Sequence, residues 1–393
     1  MKTFIERAAE IQQDIIGFRR KLHQDPETSF KEYRTTEMIR QILVQHGVEI
    51  AEWGGETGVV GLLKGAHPGP VVALRADIDA LPVQEENDCV YRSRNPGVMH
   101  ACGHDIHTAG LLGAVMLLAE RRDRLSGTVK FLFQPAEEVN AGAKLMLEKG
   151  VLDNPAVSVI FGLHNMPNIP CGKVCLKTGG LMAAVDTTFL TVNGVGGHGA
   201  IPHRTHDPIT AAAAIIQGLQ TIVSRRVDPL DSAVISFGTI HGGDANNVIP
   251  EKVELTGTVR TFNPELQAQM PGRMRSVIDG IAAAMQTEAK LVYRKDLPVV
   301  FNPPGLTEWC RGPLEKVFGS EGVIDFPPCM GGEDFACFQE KVPGVFLFLG
   351  VGNEARGIVN QWHNPRFDAD ENSLKYGAAA LAQLAFDYME NNS

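Results

Sequence analysis

The sequence predicts an α/β protein built from two domains, one inserted into the other. Three observations carry this expectation. At 393 residues the chain exceeds what one compact core usually organises. Short apolar runs alternate with helical periodicity before residue 185 and again after residue 298. Between them the pattern changes to β-α-β-β-α-β, the order of a ferredoxin-like unit. The expected domains are therefore 1–185 with 298–393, and 186–297.

The elements follow in order. Residues 4–22 place Phe4, Ile5, Ala8, Ile11, Ile15, Phe18 and Leu22 at helical spacing, and Pro26 closes that segment. Ser29 and Glu32 have the spacing of a capping box, opening a helix that ends at Gly47. Val59–Leu63, Val71–Leu74, Val129–Phe133 and Val157–Phe161 read as buried strands. A helix is expected from Asp105 to about Arg121, with Leu111, Leu112, Val115, Met116 and Leu118 on its apolar side. In the insert, strands are expected at Thr187–Val192, Ala233–Ile240, Val253–Thr261 and Ala289–Arg294. Asp207-Pro208 and Pro264 open its two helices, with proline at the favoured first position. A helix near 306–318, a strand at Val345–Leu349 and a helix from about Glu371 complete the outer domain.

Composition narrows the function classes. The formal net charge is −10 with no basic run of five or more residues, which argues against nucleic acid as a partner. No run of eighteen apolar residues suggests a membrane span. The first ten residues lack the apolar core of a signal peptide, and the seven cysteines are scattered and odd in number. A reducing, cytoplasmic location is expected.

Chemistry concentrates in His100-Ala-Cys-Gly-His-Asp-Ile-His107, which packs three imidazoles and a thiol into eight residues. Glu137-Glu138 follow one expected strand, His164 follows another, and His363 lies near the C-terminus. Mixed nitrogen, oxygen and sulfur donors suit a transition metal. Cys102 could bridge two ions, with Glu138 and His363 completing one, and His104 and His164 the other. Zinc, manganese, cobalt and nickel all fit these donors. Of two adjacent carboxylates one can ligate while the other faces water as a general base. The rival reading of the pair is a solvated acidic helix start. Singly, each histidine is more readily read as a core or surface group.

Seven motifs occur in one order along the chain: Arg75–Pro82, His100–His107, Phe133–Glu138, Gly196–Ala200, Asn247–Pro250, Gly332–Ala336 and His363–Pro365. Together they resemble the amidohydrolase branch of the aminoacylase/carboxypeptidase G superfamily of metallopeptidases, which includes hippurate hydrolases and plant indole-acetyl-amino-acid hydrolases. The resemblance spans nearly all 393 residues. It implies a dinuclear catalytic α/β domain with an inserted dimerisation domain. It also implies metal ligation by Cys102, His104, Glu138, His164 and His363, with Glu137 as general base and proton shuttle. His198 would stabilise the oxyanion in the partner subunit's site. Asn247 and Arg260 resemble residues that hold the substrate's carboxylate and carbonyl, although Arg260 also fits an exposed structural arginine. Gly331-Gly332 reads either as a backbone-approach loop near substrate or as a plain turn. Asp77 matches an acid that orients a histidine ligand two residues before it; here that earlier position is Arg75, which leaves the task of Asp77 open.

The expected activity is hydrolysis of the amide of N-acyl or N-aroyl amino acids, a small-molecule reaction. Two divalent ions would serve it, zinc or manganese foremost, with cobalt or nickel as alternatives. A homodimer or higher homo-oligomer is expected. The rivals are a dipeptidase with the same site, a non-catalytic ligand-binding homologue, and a redox protein using Cys102. Retention of Glu137 argues against the second. The lack of a Cys-x-x-Cys pair or dinucleotide fingerprint argues against the third.

Overall fold

The computed structural model describes residues 2–393, which divide into two compact units. The first comprises residues up to Gly179, Phe301–Pro327 and Asp334–Ser393. The second comprises Gly180–Val300 and Pro328–Glu333.

The first unit opens with α1 (Phe4–Glu10) and α2 (Gln12–Gln24). The single helix expected over 4–22 bends at Ile11, but the Ile15 N–H still reaches the Ile11 carbonyl, so the hydrogen-bond ladder continues. Helix α3 (Tyr33–Gln45) follows. Its expected capping box is not formed: the N-cap residue Glu32 makes no side-chain cap, and the Thr35 N–H donates to the Glu27 carboxylate at 2.9 Å. Ser29 Oγ instead donates to Asp79 at 2.7 Å, and buried Glu32 accepts the Ala136 N–H at 2.9 Å. Tertiary partners have outcompeted the local cap.

Next come β1 (Glu49–Ala51), β2 (Val59–Lys64), β3 (His67–Asp77), α4 (His104–Ala119), β4 (Ser126–Gln134), α5 (Gly142–Glu148), β5 (Val159–Pro170) and β6 (Val174–Cys175). Helix α4 was expected to be amphipathic, with five apolar positions on one side, and it is not. Every residue from His104 to Leu118 is buried, so it is a core helix.

The second unit contains β7 (Ala184–Asn193), β8 (Gly197–His198), α6 (Pro208–Arg225), β9 (Ala233–His241), β10 (Val248–Ile249), β11 (Lys252–Thr261), α7 (Pro264–Ala284) and β12 (Glu288–Leu297). Asp207 and Asn263 cap the two helices, each side-chain oxygen accepting two backbone N–H groups, with proline following both. The four long strands form an antiparallel sheet in the order β9-β11-β7-β12, the ferredoxin-like arrangement. Leu190, Ile215, Leu219, Leu255, Met274 and Ile278 are part of its separate core.

The first unit resumes with α8 (Pro304–Phe318), β13 (Val323–Ile324), α9 (Phe335–Gln339), β14 (Gly344–Gly352) and α10 (Ser373–Asn391). Its mixed eight-stranded sheet runs β1-β2-β4-β3-β5-β14-β6-β13. Strands β4, β3, β5 and β14 are parallel neighbours, nearly continuous in buried residues as a sheet covered on both faces requires. Helices α4 and α10 pack together tightly: a Cβ on Gly113 would lie 2.7 Å from the Ala378 Cβ.

Register sets up the site. Asp77 pairs with Gln134, and Arg75 with Gly162. The carboxyl ends of β3 and β4 therefore stand level with His164. That histidine was expected just past its strand; it lies within β5, which is held out to Pro170 by pairing with β14. This edge is where open α/β sheets place ligands. No helix among the described residues is long and apolar enough to cross a membrane.

Candidate metal centre

The loop before α4 turns on Gly103, whose φ is +84°. A Cβ there would sit 2.4 Å from Asn165 Nδ2, so the position demands glycine twice over. This turn presents Cys102 and His104 on the same edge. Cys102 Sγ lies 3.5 Å from His164 Nε2. His104 Nε2 lies 3.7 Å from Glu138 Oε1 and 3.9 Å from Glu137 Oε2. His363, at φ +63° and half exposed, places Nε2 3.8 Å from Glu138 Oε2. Its backbone N–H donates to the Ala101 carbonyl at 2.8 Å, tying the two loops together.

These side chains form two groups that share the thiol. Cys102, His104 and His164 are one, and Cys102, Glu138 and His363 the other. Within each, the ligand atoms all lie within 4.8 Å of one another. Ligands about 2.0–2.3 Å from a shared tetrahedral ion sit about 3.4–3.7 Å apart, longer than a hydrogen bond, and the 3.5 Å between Cys102 Sγ and His164 Nε2 matches. Two further observations fit a cation: His104 Nε2 and Glu138 Oε1 are buried and have no hydrogen-bond partner among the described residues. A buried polar atom left unpaired costs about 1–3 kcal/mol, which ligation would recover. Burial, reinforced by Glu138, pushes the Cys102 thiol well up. Burial also lifts Glu138 to about 7, against the pull of His104. A divalent ion held at this point would reverse both tendencies.

Asp77 does not face a ligand two residues upstream. Its Oδ1 lies 2.5 Å from His107 Nδ1, and its Oδ2 accepts from Arg75 at 2.8 Å. Burial opposes ionisation, but His104, His107 and Arg75 hold Asp77 well below the usual carboxylate range. Arg75 is fully buried, donating to Gln134 and Asp334 as well, each at 2.8 Å. It ties Asp77, Gln134 and Asp334 together as a strut.

Sequence reasoning missed Asp79. One of its oxygens faces His104 Nδ1 at 3.3 Å and accepts the Glu137 N–H at 3.1 Å. The other accepts the Glu138 N–H at 3.1 Å and the Ser29 hydroxyl. The only available signal was a second acid in Arg75-Ala-Asp-Ile-Asp79, on the same strand face as Asp77 by period two. Of the other two histidines, His107 is hydrogen-bonded at both ring nitrogens, whereas neither ring nitrogen of His100 has a hydrogen-bond partner among the described residues. Burial drives His100 down to about 4.

The remaining candidates lie in the second unit. His198 is exposed in the β8–β10 ribbon, where it pairs with Val248, and its Nδ1 accepts the Ala200 N–H at 3.0 Å. Asn247 is its neighbour: the Gly199 N–H donates to the Asn247 carbonyl at 2.8 Å. Arg260 lies elsewhere, on β11, with its guanidinium bonded to Thr258 and to the Val259 carbonyl. The Gly331 carbonyl accepts the Ala183 N–H at 3.0 Å.

Comparison with known proteins adds an independent line. The model of peptidase family M20/M25/M40 matches residues 73–387. N-acetylcysteine deacetylase of Bacillus subtilis is 44% identical over 96% of this chain and 97% of its own length. IAA-amino acid hydrolase ILR1-like 4 of Arabidopsis thaliana is 40% identical, covering 95% of this chain and 86% of its own. Among solved structures, the YXEP protein of Bacillus subtilis, described as a dinuclear metal-binding peptidase of the M20 family, superposes with a TM-score of 0.86. It is 40% identical, with 97% of this chain and 99% of that one covered.

Proposed function

Because the chain belongs to peptidase family M20/M25/M40, we propose that its buried thiol, imidazole and carboxylate cluster serves hydrolysis of N-acyl or N-aroyl amino acids, releasing a carboxylic acid and a free amino acid. The protein is a metal-dependent amidohydrolase. One observation carries the site assignment: two three-residue groups of metal-ligand types share Cys102. Cys102 would be shared by both ions, with His104 and His164 holding one and Glu138 and His363 the other. The relatives that act on N-acetylcysteine and on indole-acetyl-amino acids support the substrate class.

Two divalent ions, zinc or manganese foremost, would polarise the amide carbonyl and make water a better nucleophile at neutral pH. The chain's own residues would do the rest. Glu137 takes a proton from the attacking water and passes it to the departing amine. Asp79 fixes the direction of Glu137 through its backbone. His198, brought by a partner subunit, donates to the developing oxyanion. Asn247 and Arg260 receive the substrate's carboxylate and carbonyl, with Arg suited to a planar anion. The Gly331 backbone borders the substrate. Asp77 acts through His107 and Arg75. The second unit would form the dimer interface, and the protein would work in the cytoplasm.

The test is a panel of N-acetyl, N-benzoyl and indole-acetyl amino acids set against matching dipeptides. The protein is loaded in turn with zinc, manganese, cobalt and nickel. N-acyl amino acids should be cleaved with the higher kcat/KM, and a chelator should abolish turnover. Faster cleavage of dipeptides by every metal form would overturn this reading in favour of a peptidase, as the description of the YXEP protein suggests for that relative.

A further inference from the structure

Asn165 follows His164 on β5 and has no solvent exposure. Its amide sits where three segments meet. Nδ2 lies 2.6 Å from the Cys102 carbonyl and 2.8 Å from His107 Nε2. Oδ1 accepts from Trp362 Nε1 at 3.0 Å. The Asn165 backbone N–H also donates to His107 Nε2, at 2.9 Å.

The chemistry of the partners fixes which end of the amide points where. A carbonyl only accepts and an indole N–H only donates. The Cys102 carbonyl therefore demands the amide's nitrogen, and Trp362 demands its oxygen. His107 adds a consistent third constraint. Its Nε2 faces the Asn165 backbone N–H, which can only donate, so that nitrogen accepts, while Nδ1 faces the Asp77 carboxylate. An aspartate at 165 could not donate to Cys102, and a leucine could make neither bond. Gly103 leaves the room for this approach, since a Cβ there would collide with Nδ2.

We propose that Asn165 is a positioning residue that holds the segments bearing Cys102, His164 and His363 in register, oriented by the Asp77–His107 pair. The inference rests on the ligand assignment above. Cys102 is anchored through its own carbonyl, His164 is the preceding residue, and His363 follows the indole that Asn165 holds. One amide thus spans three of the five assigned ligands and both ion positions. Asn165 touches no reacting group; it acts through the ligands. Residues in this supporting role typically change metal affinity by about 10- to 100-fold.

The experiment titrates the full-length metal-free chain with zinc against a chromophoric chelator, and with cobalt while following cobalt–thiolate absorption. The wild type gives the baseline. If it takes up no ion, the ligand assignment fails, whatever Asn165 does. Given wild-type uptake of two ions, Asn165→Asp and Asn165→Leu should weaken both by about 10- to 100-fold and shift the cobalt spectrum. Trp362→Phe keeps an aromatic ring beside His164 but loses the indole N–H, so it should weaken the ion assigned to His363 more than the other, producing a split titration. Wild-type affinities and an unshifted spectrum in folded Asn165 variants would overturn the inference. So would a lowered melting temperature as the sole change, since that marks a purely structural residue. Should the Asn165 variants not fold, Trp362→Phe decides: two unchanged affinities overturn it.

Discussion

Asp79 stands directly behind His104, with a carboxylate oxygen 3.3 Å from the imidazole Nδ1. This contact leaves the opposite nitrogen, Nε2, turned toward Glu137 and Glu138. The same carboxylate receives the backbone N–H groups of both glutamates. One side chain thereby orients an assigned ligand and the turn that carries the assigned base. Asp79→Ala should leave two buried N–H groups unpaired, costing about 2–4 kcal/mol of stability. It should also weaken metal binding by about 10- to 100-fold. Urea unfolding and a zinc titration measure the two effects separately; wild-type values in both would refute this role.

The adjacent glutamates should behave differently. Glu137→Gln should keep the fold and both ions but lower kcat by about a hundredfold or more, because the base is gone. Glu138→Ala should lose metal, since its two oxygens face His104 and His363. Metal content by elemental analysis, beside kcat, distinguishes them. Near-wild-type turnover by Glu137→Gln would show that another group takes the proton.

His198→Ala should lower turnover by about two to three orders of magnitude, the usual effect of removing one oxyanion donor, without changing metal content. Mixing inactive His198→Ala chains with inactive Glu137→Gln chains tests the origin of the donor. Recovered activity in hybrid dimers is the expected outcome. No recovery despite proven subunit exchange would rule out a role across subunits.

Glu32 carries a pH signature. Burial, with Asp79 adding to it, lifts its carboxyl to about 7, against 4.5 for the ordinary group. The folded state then binds the proton more tightly than the unfolded state. Its stabilising effect is full below about pH 4.5 and declines as pH rises through about 7. Glu32→Gln keeps an oxygen for the Ala136 N–H but has no charge to bury. Compared with wild type, this variant should gain about 2–3 kcal/mol in relative stability between pH 4.5 and 8. Denaturant unfolding of the metal-free proteins across that range checks the sign; a constant difference would refute it.

Gly103→Ala should be among the most damaging single-methyl additions in the chain. It combines a left-handed φ with a 2.4 Å approach to Asn165. A loss of about 2 kcal/mol or more is expected from strain and displacement together. Thermal melting and zinc affinity should both fall; a wild-type melting curve would show that the turn can relax.

Much of this protein was legible without coordinates, because the relevant signals are local. Periodicity located the long strands and most of the long helices. Asp207-Pro208 marked a helix start through a cap and a proline that act within one turn. The ferredoxin-like unit followed from element order alone, since few packings satisfy that order. Cys102, His104, Glu137 and Glu138 stood out as candidates because ligand types cluster there, His164 by its place after an expected strand and His363 by the resemblance; the fold brings Cys102, His104, His164, Glu138 and His363 together.

What required the tertiary structure was every partnership between residues distant in the chain. Ser29 and Glu32 have the spacing of a capping box, yet their side chains serve Asp79 and Ala136, fifty and more than a hundred residues away. Local sequence offered the cap, and a buried carboxylate and a buried N–H offered stronger alternatives. Asp79 and Asn165 are unremarkable in sequence; strand register and the Gly103 turn bring the donors and acceptors of three segments onto them. Arg75 looked like a missing ligand and is a buried strut, because only the fold supplies Asp77, Gln134 and Asp334 around its guanidinium. Residue type determined which chemistry was available; chain crossing decided which groups meet to perform it.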